Sequence, residues 1–84
     1  MEYKIIWSIK AADQMRRLDR SVAKRIYEKV DQLYQNPERF VEKLVRHPYY
    51  RLRVGDYRVI LDIKHESVRI LILKVGHRNR IYER

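Results

Sequence analysis

The chain has 84 residues, of which 37% are charged and 45% hydrophobic, and it contains no cysteine. This composition is too apolar for a disordered chain and too charged for a membrane protein, and it excludes disulfides and thiolate metal sites. The expectation is therefore one small domain spanning residues 1–84, located in the cytoplasm.

The net charge of +9 is unevenly distributed along the sequence. Residues 1–42 hold nine basic and seven acidic side chains, whereas residues 43–84 hold eleven basic and four acidic ones. Such an excess favours a polyanionic partner, and nucleic acid is the commonest polyanion in the cytoplasm. A basic surface that merely keeps the protein soluble is the alternative.

The first part of the sequence predicts a strand followed by two helices. Residues 2–7, EYKIIW, are β-branched and aromatic, as is typical of a strand. Ser8 is a suitable N-cap for a first helix. A second helix is indicated by apolar residues spaced three and four apart, widened by two tyrosines: Val22, Ile26, Val30, Leu33, Tyr27 and Tyr34. Asn36–Pro37 ends this helix.

The second part switches to the alternating pattern of strands. Residues 50–63, YRLRVGDYRVILDI, carry Gly55–Asp56 at their centre, which predicts a type II′ hairpin. A turn over residues 64–67 then leads to the apolar run 68–75, which is typical of a central strand. The resulting order is β-α-α-β-β-β. It predicts an α+β fold with two antiparallel helices packed on a mostly antiparallel sheet.

The two-residue loop fixes the register of the hairpin. It pairs Val54 with Tyr57, Arg53 with Arg58 and Leu52 with Val59. The apolar members of these pairs would face the helices, so Arg51, Arg53 and Arg58 would share the opposite face.

Like charges directly opposite one another destabilise a sheet by up to about 1 kcal/mol. No acid is expected in register with the three arginines, whereas Asp62 is expected opposite Arg69. A bound phosphate would relieve the repulsion, because guanidinium groups match phosphate oxygens. Arginines that extend separately into water are the alternative.

The segment after the last strand is expected at the same end of the sheet. Because this strand runs antiparallel to its neighbour, residue 75 would lie near Tyr57. Gly76 would let the backbone turn there. Four side chains would thereby join the hairpin arginines: His77, Arg78, Arg80 and Tyr82.

The element order, the segment YRLRVGDYRVILDI and the segment VGHRNRIY together resemble the RelE/ParE toxin superfamily, and its RelE branch in particular. The resemblance covers the whole chain and implies a fold similar to the microbial ribonucleases. It also implies a toxin that enters the ribosomal A site and cuts mRNA. In this reaction the 2′-hydroxyl attacks the adjacent phosphate without a metal or other cofactor.

The resemblance implies a role for each residue that matches the family pattern. Arg51 and Arg53 correspond to basic residues that bind the RNA backbone and activate the nucleophile. Arg58 would stabilise the pentavalent phosphate, and Arg78 would serve the phosphate or the leaving oxygen. Tyr82 would stack on or orient the base. Arg80 is expected to bind RNA because of its positive charge.

The general base is left open by the sequence. Arginine remains protonated, so Arg53 is a poor base where the family often has lysine. Histidine side chains change charge near neutral pH, so His77 is one substitute, and a Tyr82 phenolate is another. Electrostatic stabilisation by arginines without a base is the third possibility. His47 and His65 are assigned no role.

Two other functions are compatible with the pattern. ParE-type relatives share the fold and inhibit DNA gyrase, although they generally lack the full arginine–tyrosine set. A basic domain that binds RNA without cleaving it is the second alternative. The resemblance further implies an acidic, RelB-like antitoxin as the partner, in addition to the ribosome and mRNA.

Overall fold

A mixed five-stranded sheet with two helices across one face forms the core of the molecule. The computed structural model describes residues 2–82. The strands are β1 (Lys4–Trp7), β2 (Glu42–Lys43), β3 (Tyr50–Val54), β4 (Tyr57–Lys64) and β5 (Arg69–His77), and the helices are α1 (Ile9–Arg16) and α2 (Arg20–Asp31). Two 3₁₀ turns follow α2, at Gln32–Tyr34 and Pro37–Arg39.

The strand order in the sheet is β1-β5-β4-β3-β2. The β1–β5 pair is parallel, and the other three neighbouring pairs are antiparallel. The predicted α+β fold and mostly antiparallel sheet are confirmed, with one short strand, β2, in addition to the four predicted ones.

Both helices pack their apolar residues on the sheet, and Val22 of the predicted stripe is partly buried there. Ser8 caps α1, since its Oγ accepts a hydrogen bond from the Ala11 N–H at 3.0 Å. The helical residues Ala11, Met15, Ile26 and Val30 are buried against the sheet, as is Leu33 in the first 3₁₀ turn. Each large aliphatic side chain buried in this way contributes roughly 1.5–3 kcal/mol. The two tyrosines lie at the edge of this stripe and are nearly half exposed: Tyr27 and Tyr34.

The predicted hairpin register is confirmed at all three pairs: Leu52–Val59, Arg53–Arg58 and Val54–Tyr57. Gly55 has a φ of +58°, and Asp56 keeps a negative φ, as a type II′ turn requires. The residues predicted to face the helices do so: Leu52, Val54 and Val59 are buried in the core, and Tyr57 packs against it.

The predicted pairing of Asp62 with Arg69 is wrong. β4 continues through Lys64, so the turn occupies 65–68 and Lys64 lies opposite Arg69. Asp62 lies opposite Leu71 and forms an ion pair with Lys64 at 2.9 Å. The turn lies one residue later than expected, with Val68 in the left-handed region at a φ of 55°.

A bulge in β5 is stabilised by side chains of α1. Ile60 pairs with Lys74 and Leu61 with Ile72, so Leu73 is an extra residue in its strand. Ser8 Oγ donates a hydrogen bond to the Leu73 carbonyl at 3.1 Å. Gln14 Oε1 accepts one from the Val75 N–H at 2.6 Å. The N-cap Ser8 and Gln14 of α1 thereby satisfy two backbone groups of β5 at and near the bulge.

Replacing Gln14 by leucine is expected to lower the free energy of unfolding by about 1–3 kcal/mol, because the Val75 N–H would lose its acceptor in a partly buried position. Urea denaturation would measure the change. Gln35→Leu, at an exposed position, is the control. Equal midpoints for the two variants would contradict this role of Gln14.

Candidate functional site

The sheet surface that faces away from the helices, called the open face below, carries the arginines identified from the sequence. Arg51, Arg53 and Arg58 project from β3 and β4 on this side, with Arg53 directly opposite Arg58. Their neighbours Leu52 and Val59 point to the helices and are buried. Alternation along the two strands therefore fixes the direction of all three guanidinium groups.

The expectation that these arginines have no acid in register is wrong. β2 adds Glu42 to the sheet directly opposite Arg51. Glu42 Oε1 accepts a hydrogen bond from Arg53 Nε at 2.7 Å, and Oε2 accepts one from Arg51 Nη2 at 3.5 Å. The hydrogen bond from Arg53, assisted by the positive charges of Arg53 and Arg51, lowers the pKa of the Glu42 carboxyl. Glu42 thus stays ionised between two arginines.

Arg51 connects this acid to the end of the chain. Arg51 Nη1 donates a hydrogen bond to Tyr82 Oη at 2.8 Å. This bond and the Glu42 carboxylate raise the pKa of Arg51. The Tyr82 side chain is more than half exposed and is accessible to a ligand. Glu42, Arg51, Arg53 and Tyr82 form a continuous hydrogen-bonded set, called the open-face cluster below.

Arg58 lies on the same face but is turned toward the hairpin loop. Its Nη1 donates to the Gly55 carbonyl at 2.7 Å and to the Tyr57 carbonyl at 2.8 Å. Its Nε and Nη2 donate to no group within residues 2–82. Arg58 is therefore held by one nitrogen, with the rest of its guanidinium available to an anion.

The segment after β5 meets the hairpin as predicted. The Arg78 N–H donates to the Asp56 carbonyl at 2.8 Å. The Arg78 side chain approaches the Asp56 carboxylate at 3.9 Å, and both side chains are largely exposed. This backbone hydrogen bond attaches the tail to the hairpin loop.

Gly76 has a different role from the one expected. It lies inside β5 opposite Arg58, with an ordinary strand φ, and the chain turns only after His77. A Cβ at position 76 would lie 3.3 Å from Ile81 Cδ1. Glycine permits the close approach of Ile81, which is 1% exposed. The tail therefore folds back over the open face and brings Tyr82 to Arg51.

His77 lies on the other side of the sheet. It pairs with Tyr57, which faces the helices, and the two rings make an edge contact at 5.5 Å between centroids. The Nδ1 of His77 accepts the Asn79 N–H at 3.2 Å. The structure thus separates His77 from the arginines of the open face, contrary to the expectation that the tail residues converge. Arg80 is exposed, with no side-chain partner within residues 2–82.

A groove of about 570 Å³ lies on the open face and extends to Tyr82. Ile60, Leu73 and Ile81 form its apolar floor, and the loop between β2 and β3 forms one wall with Leu44 and Val45. In the sequence, this groove is indicated only by two adjacent aliphatic residues in a loop, Leu44 and Val45. Val45 is 82% exposed.

Neither a metal site nor a membrane span is found in the part of the chain that the structure describes. No three His, Asp or Glu side chains within residues 2–82 converge on one point. Neither α1 nor α2 has the length and apolar content that a bilayer crossing requires.

The fold and its site can be compared with known proteins. The family model described as ParE toxin of type II toxin–antitoxin system, parDE, matches residues 5–82. No curated protein sequence matches the chain.

Several solved structures are similar over nearly the whole chain. The toxin of the RelE–RelB complex from Pyrococcus horikoshii OT3 is 32% identical, with a TM-score of 0.80 and coverage of 95% of this chain and 99% of that one. The RelBE2 toxin–antitoxin complex of Mycobacterium tuberculosis gives 25% identity, a TM-score of 0.86 and coverage of 93% and 100%. The intact E. coli RelBE complex gives 25% identity, a TM-score of 0.76 and coverage of 89% and 95%. The chain belongs to the RelE/ParE superfamily, the toxins of type II toxin–antitoxin systems.

Proposed function

We propose that this toxin is a ribosome-dependent endoribonuclease that cuts mRNA in the A site by 2′-hydroxyl attack on the adjacent phosphate. The observation that carries the proposal is the open-face cluster, in which two arginines hold a carboxylate and one of them also binds an exposed tyrosine. Arg58 lies directly opposite Arg53. These residues supply a proton acceptor, phosphate ligands and a stacking surface on one face.

Glu42 is the proposed general base. It takes the proton of the 2′-hydroxyl while O2′ bonds to phosphorus and the bond from phosphorus to O5′ breaks. The products are a 2′,3′-cyclic phosphate and a 5′-hydroxyl. The carboxylate is exposed, and the hydrogen bond from Arg53 lowers its pKa, so it stays ionised in mildly acidic as well as neutral solution. A base with a depressed pKa is weak but always in its active form.

The arginines are assigned to charge stabilisation. Arg53 and Arg58 bind the non-bridging oxygens as negative charge develops, and Arg78 serves the leaving oxygen, whose proton comes from water. Arg51 positions Tyr82 through their hydrogen bond at 2.8 Å. The exposed ring of Tyr82, at the end of the apolar groove, suits stacking on a base. Arg51 and Arg80 also contribute to RNA binding through their charge.

His77→Gln is expected to leave the cleavage rate within about twofold of the wild-type value, because His77 faces the helices rather than the arginines. The pH profile should also be unchanged. Single-turnover cleavage on programmed ribosomes would measure both. A tenfold slower reaction in the variant would indicate that His77 transfers a proton in the reaction. The same conclusion would follow if the wild-type rate changed with pH near 6.5 and the variant's rate did not.

We also infer an acidic antitoxin as the partner of this chain. The three similar complexes are each named as an assembly of a RelE-type toxin with its antitoxin. A toxin with a net charge of +9 is complementary to an acidic chain. The open-face groove, with apolar walls and basic neighbours, suits a segment that mixes acidic and apolar residues.

Gyrase inhibition is the second candidate function, since the family model that matches the chain takes its description from ParE. Expression of the toxin with and without the neighbouring antitoxin gene would distinguish mRNA cleavage from gyrase inhibition. Growth arrest accompanied by mRNA cuts within translated codons supports the nuclease. Arrest with intact mRNA and impaired supercoiling by purified gyrase supports the alternative. RNA binding without arrest or cleavage would indicate a non-catalytic basic domain.

A further inference from the structure

An arginine of α2 lies against the tip of the β3–β4 hairpin. The point at which a Cβ would stand on Gly55 is 2.9 Å from Arg25 Nη2 and 3.6 Å from Arg25 Cζ. Glycine at position 55 therefore permits both the positive φ of the turn and the close approach of this guanidinium group. Arg58 contacts the same residue, since its Nη1 donates to the Gly55 carbonyl. Two guanidinium groups from different elements thus meet at one glycine.

Arg78 brings a third guanidinium to the same loop through its contacts with Asp56. Arg25, Arg58 and Arg78 are called the hairpin-tip cluster below. Within residues 2–82, these three cations form one ion pair, which joins Arg78 Nε to the Asp56 carboxylate at 3.9 Å, and Asp56 is 67% exposed. An exposed pair at this distance neutralises little charge. The tip therefore keeps an excess of positive charge.

Arg25 forms no ion pair or hydrogen bond with any residue in the range 2–82. Glu28 lies three residues further along α2, a spacing that commonly forms an ion pair on a helix surface. The side chain nevertheless extends toward the hairpin and its two other arginines. An arrangement that brings like charges together is favourable when an anion binds between them.

We propose that Arg25, the member of the hairpin-tip cluster that comes from α2, forms a second phosphate subsite, which binds the RNA backbone at a phosphate next to the one that is cut, while Arg58 and Arg78 serve the cut phosphate. The inference rests on the proposed function, since it assigns this subsite to the same RNA strand. Arg53 and Arg58 lie opposite one another on the open face, whereas Arg25 reaches the hairpin tip from α2, on the helix side of the sheet. The phosphate bound by Arg53 and Arg58 therefore lies on the open face, and Arg25 is positioned to bind the next phosphate of the strand as it passes the hairpin tip.

The test is the salt dependence of binding to a short single-stranded RNA whose 2′-hydroxyls are all methylated, so that no cleavage occurs. Arg25→Gln is expected to reduce affinity five- to tenfold at low salt. It should also reduce the slope of log affinity against log salt by about 0.7, the value for one phosphate contact on a single strand. Lys24→Gln, which removes the same charge from the next position on α2, should leave the slope unchanged. Thermal unfolding of both variants should match the wild type.

Equal slopes for Arg25→Gln and the wild type, equal losses in the two variants, or no binding by the wild type would overturn the proposal. The result is independent of catalysis because the RNA cannot be cut. If the wild type fails to cleave mRNA on ribosomes but Arg25→Gln still changes the slope, the nuclease assignment fails and the subsite is retained. If the wild type cleaves mRNA but Arg25→Gln has the wild-type salt slope, the proposed subsite is wrong and the nuclease assignment is unaffected.

Discussion

Replacing Arg58 by alanine is expected to slow mRNA cleavage by about 10²–10³-fold, the loss typical of removing one preorganised donor to a developing oxyanion. The arginine lies opposite Arg53 on the open face, and its Nε and Nη2 donate to no group within residues 2–82. Its hydrogen bonds within residues 2–82 go to the exposed Gly55 carbonyl and to the partly buried Tyr57 carbonyl, and their loss should cost little stability. The variant should therefore fold normally and lose growth arrest together with cleavage.

The chain offers a matched control for this experiment. Arg69 is exposed on the same face but lies opposite Lys64, at the far end of β4 from Arg58. Arg58 and Lys64 are six residues apart along β4, a distance of about 20 Å. Arg69→Ala removes the same charge and should retain nearly the full rate. Equal losses in Arg58→Ala and Arg69→Ala would mean that net charge matters and that Arg58 has no specific place in the reaction.

Replacing Glu42 by glutamine is expected to lower the single-turnover rate by about 10²–10⁴-fold, since general base catalysis contributes a factor of this size. Binding should change in the opposite direction. Glutamine removes the negative charge between Arg51 and Arg53, so the open face becomes more positive and RNA affinity rises. A slower chemical step combined with tighter binding distinguishes a base from a residue that only holds the arginines in place.

The pH dependence follows from the direction of the Glu42 pKa shift. The carboxyl has a lowered pKa, so it is already deprotonated above its ordinary value and loses its proton-accepting form only in more acidic solution. The cleavage efficiency of the wild type should therefore show no acid limb between about pH 5.5 and 8. Glu38→Gln, at an exposed position that pairs with His65, is the control. A full rate in Glu42→Gln would exclude Glu42 as the base.

The sequence was sufficient to place most of the arginines. The Gly55–Asp56 loop determines the register of the hairpin, and strict alternation then determines which side chains share a face. The approach of the tail to the hairpin followed from strand direction alone, and it is confirmed by the hydrogen bond between Arg78 and Asp56. These features depend on local geometry, which a pattern of residue types specifies well.

The acid of the site could not be predicted in the same way. Glu42 lies in a strand of two residues, too short to show alternation, and β2 exists because it pairs with β3. The side of the sheet on which His77 lies depends on β5 extending past Gly76, whereas glycine suggested an earlier turn. The proximity of Arg25 to Gly55 is a contact between distant parts of the chain. Long-range packing decides all three.

The most direct test of the nuclease assignment uses ribosomes translating one defined mRNA. The cut is first mapped on the unmodified message, and the nucleotide on its 5′ side is then 2′-O-methylated. We expect cleavage of the unmodified mRNA to leave a 2′,3′-cyclic phosphate, and we expect the methylated mRNA to remain intact. Cleavage of the methylated mRNA at the same phosphate would contradict the nuclease assignment. It would also be contradicted if the toxin stopped translation while the unmodified mRNA remained intact.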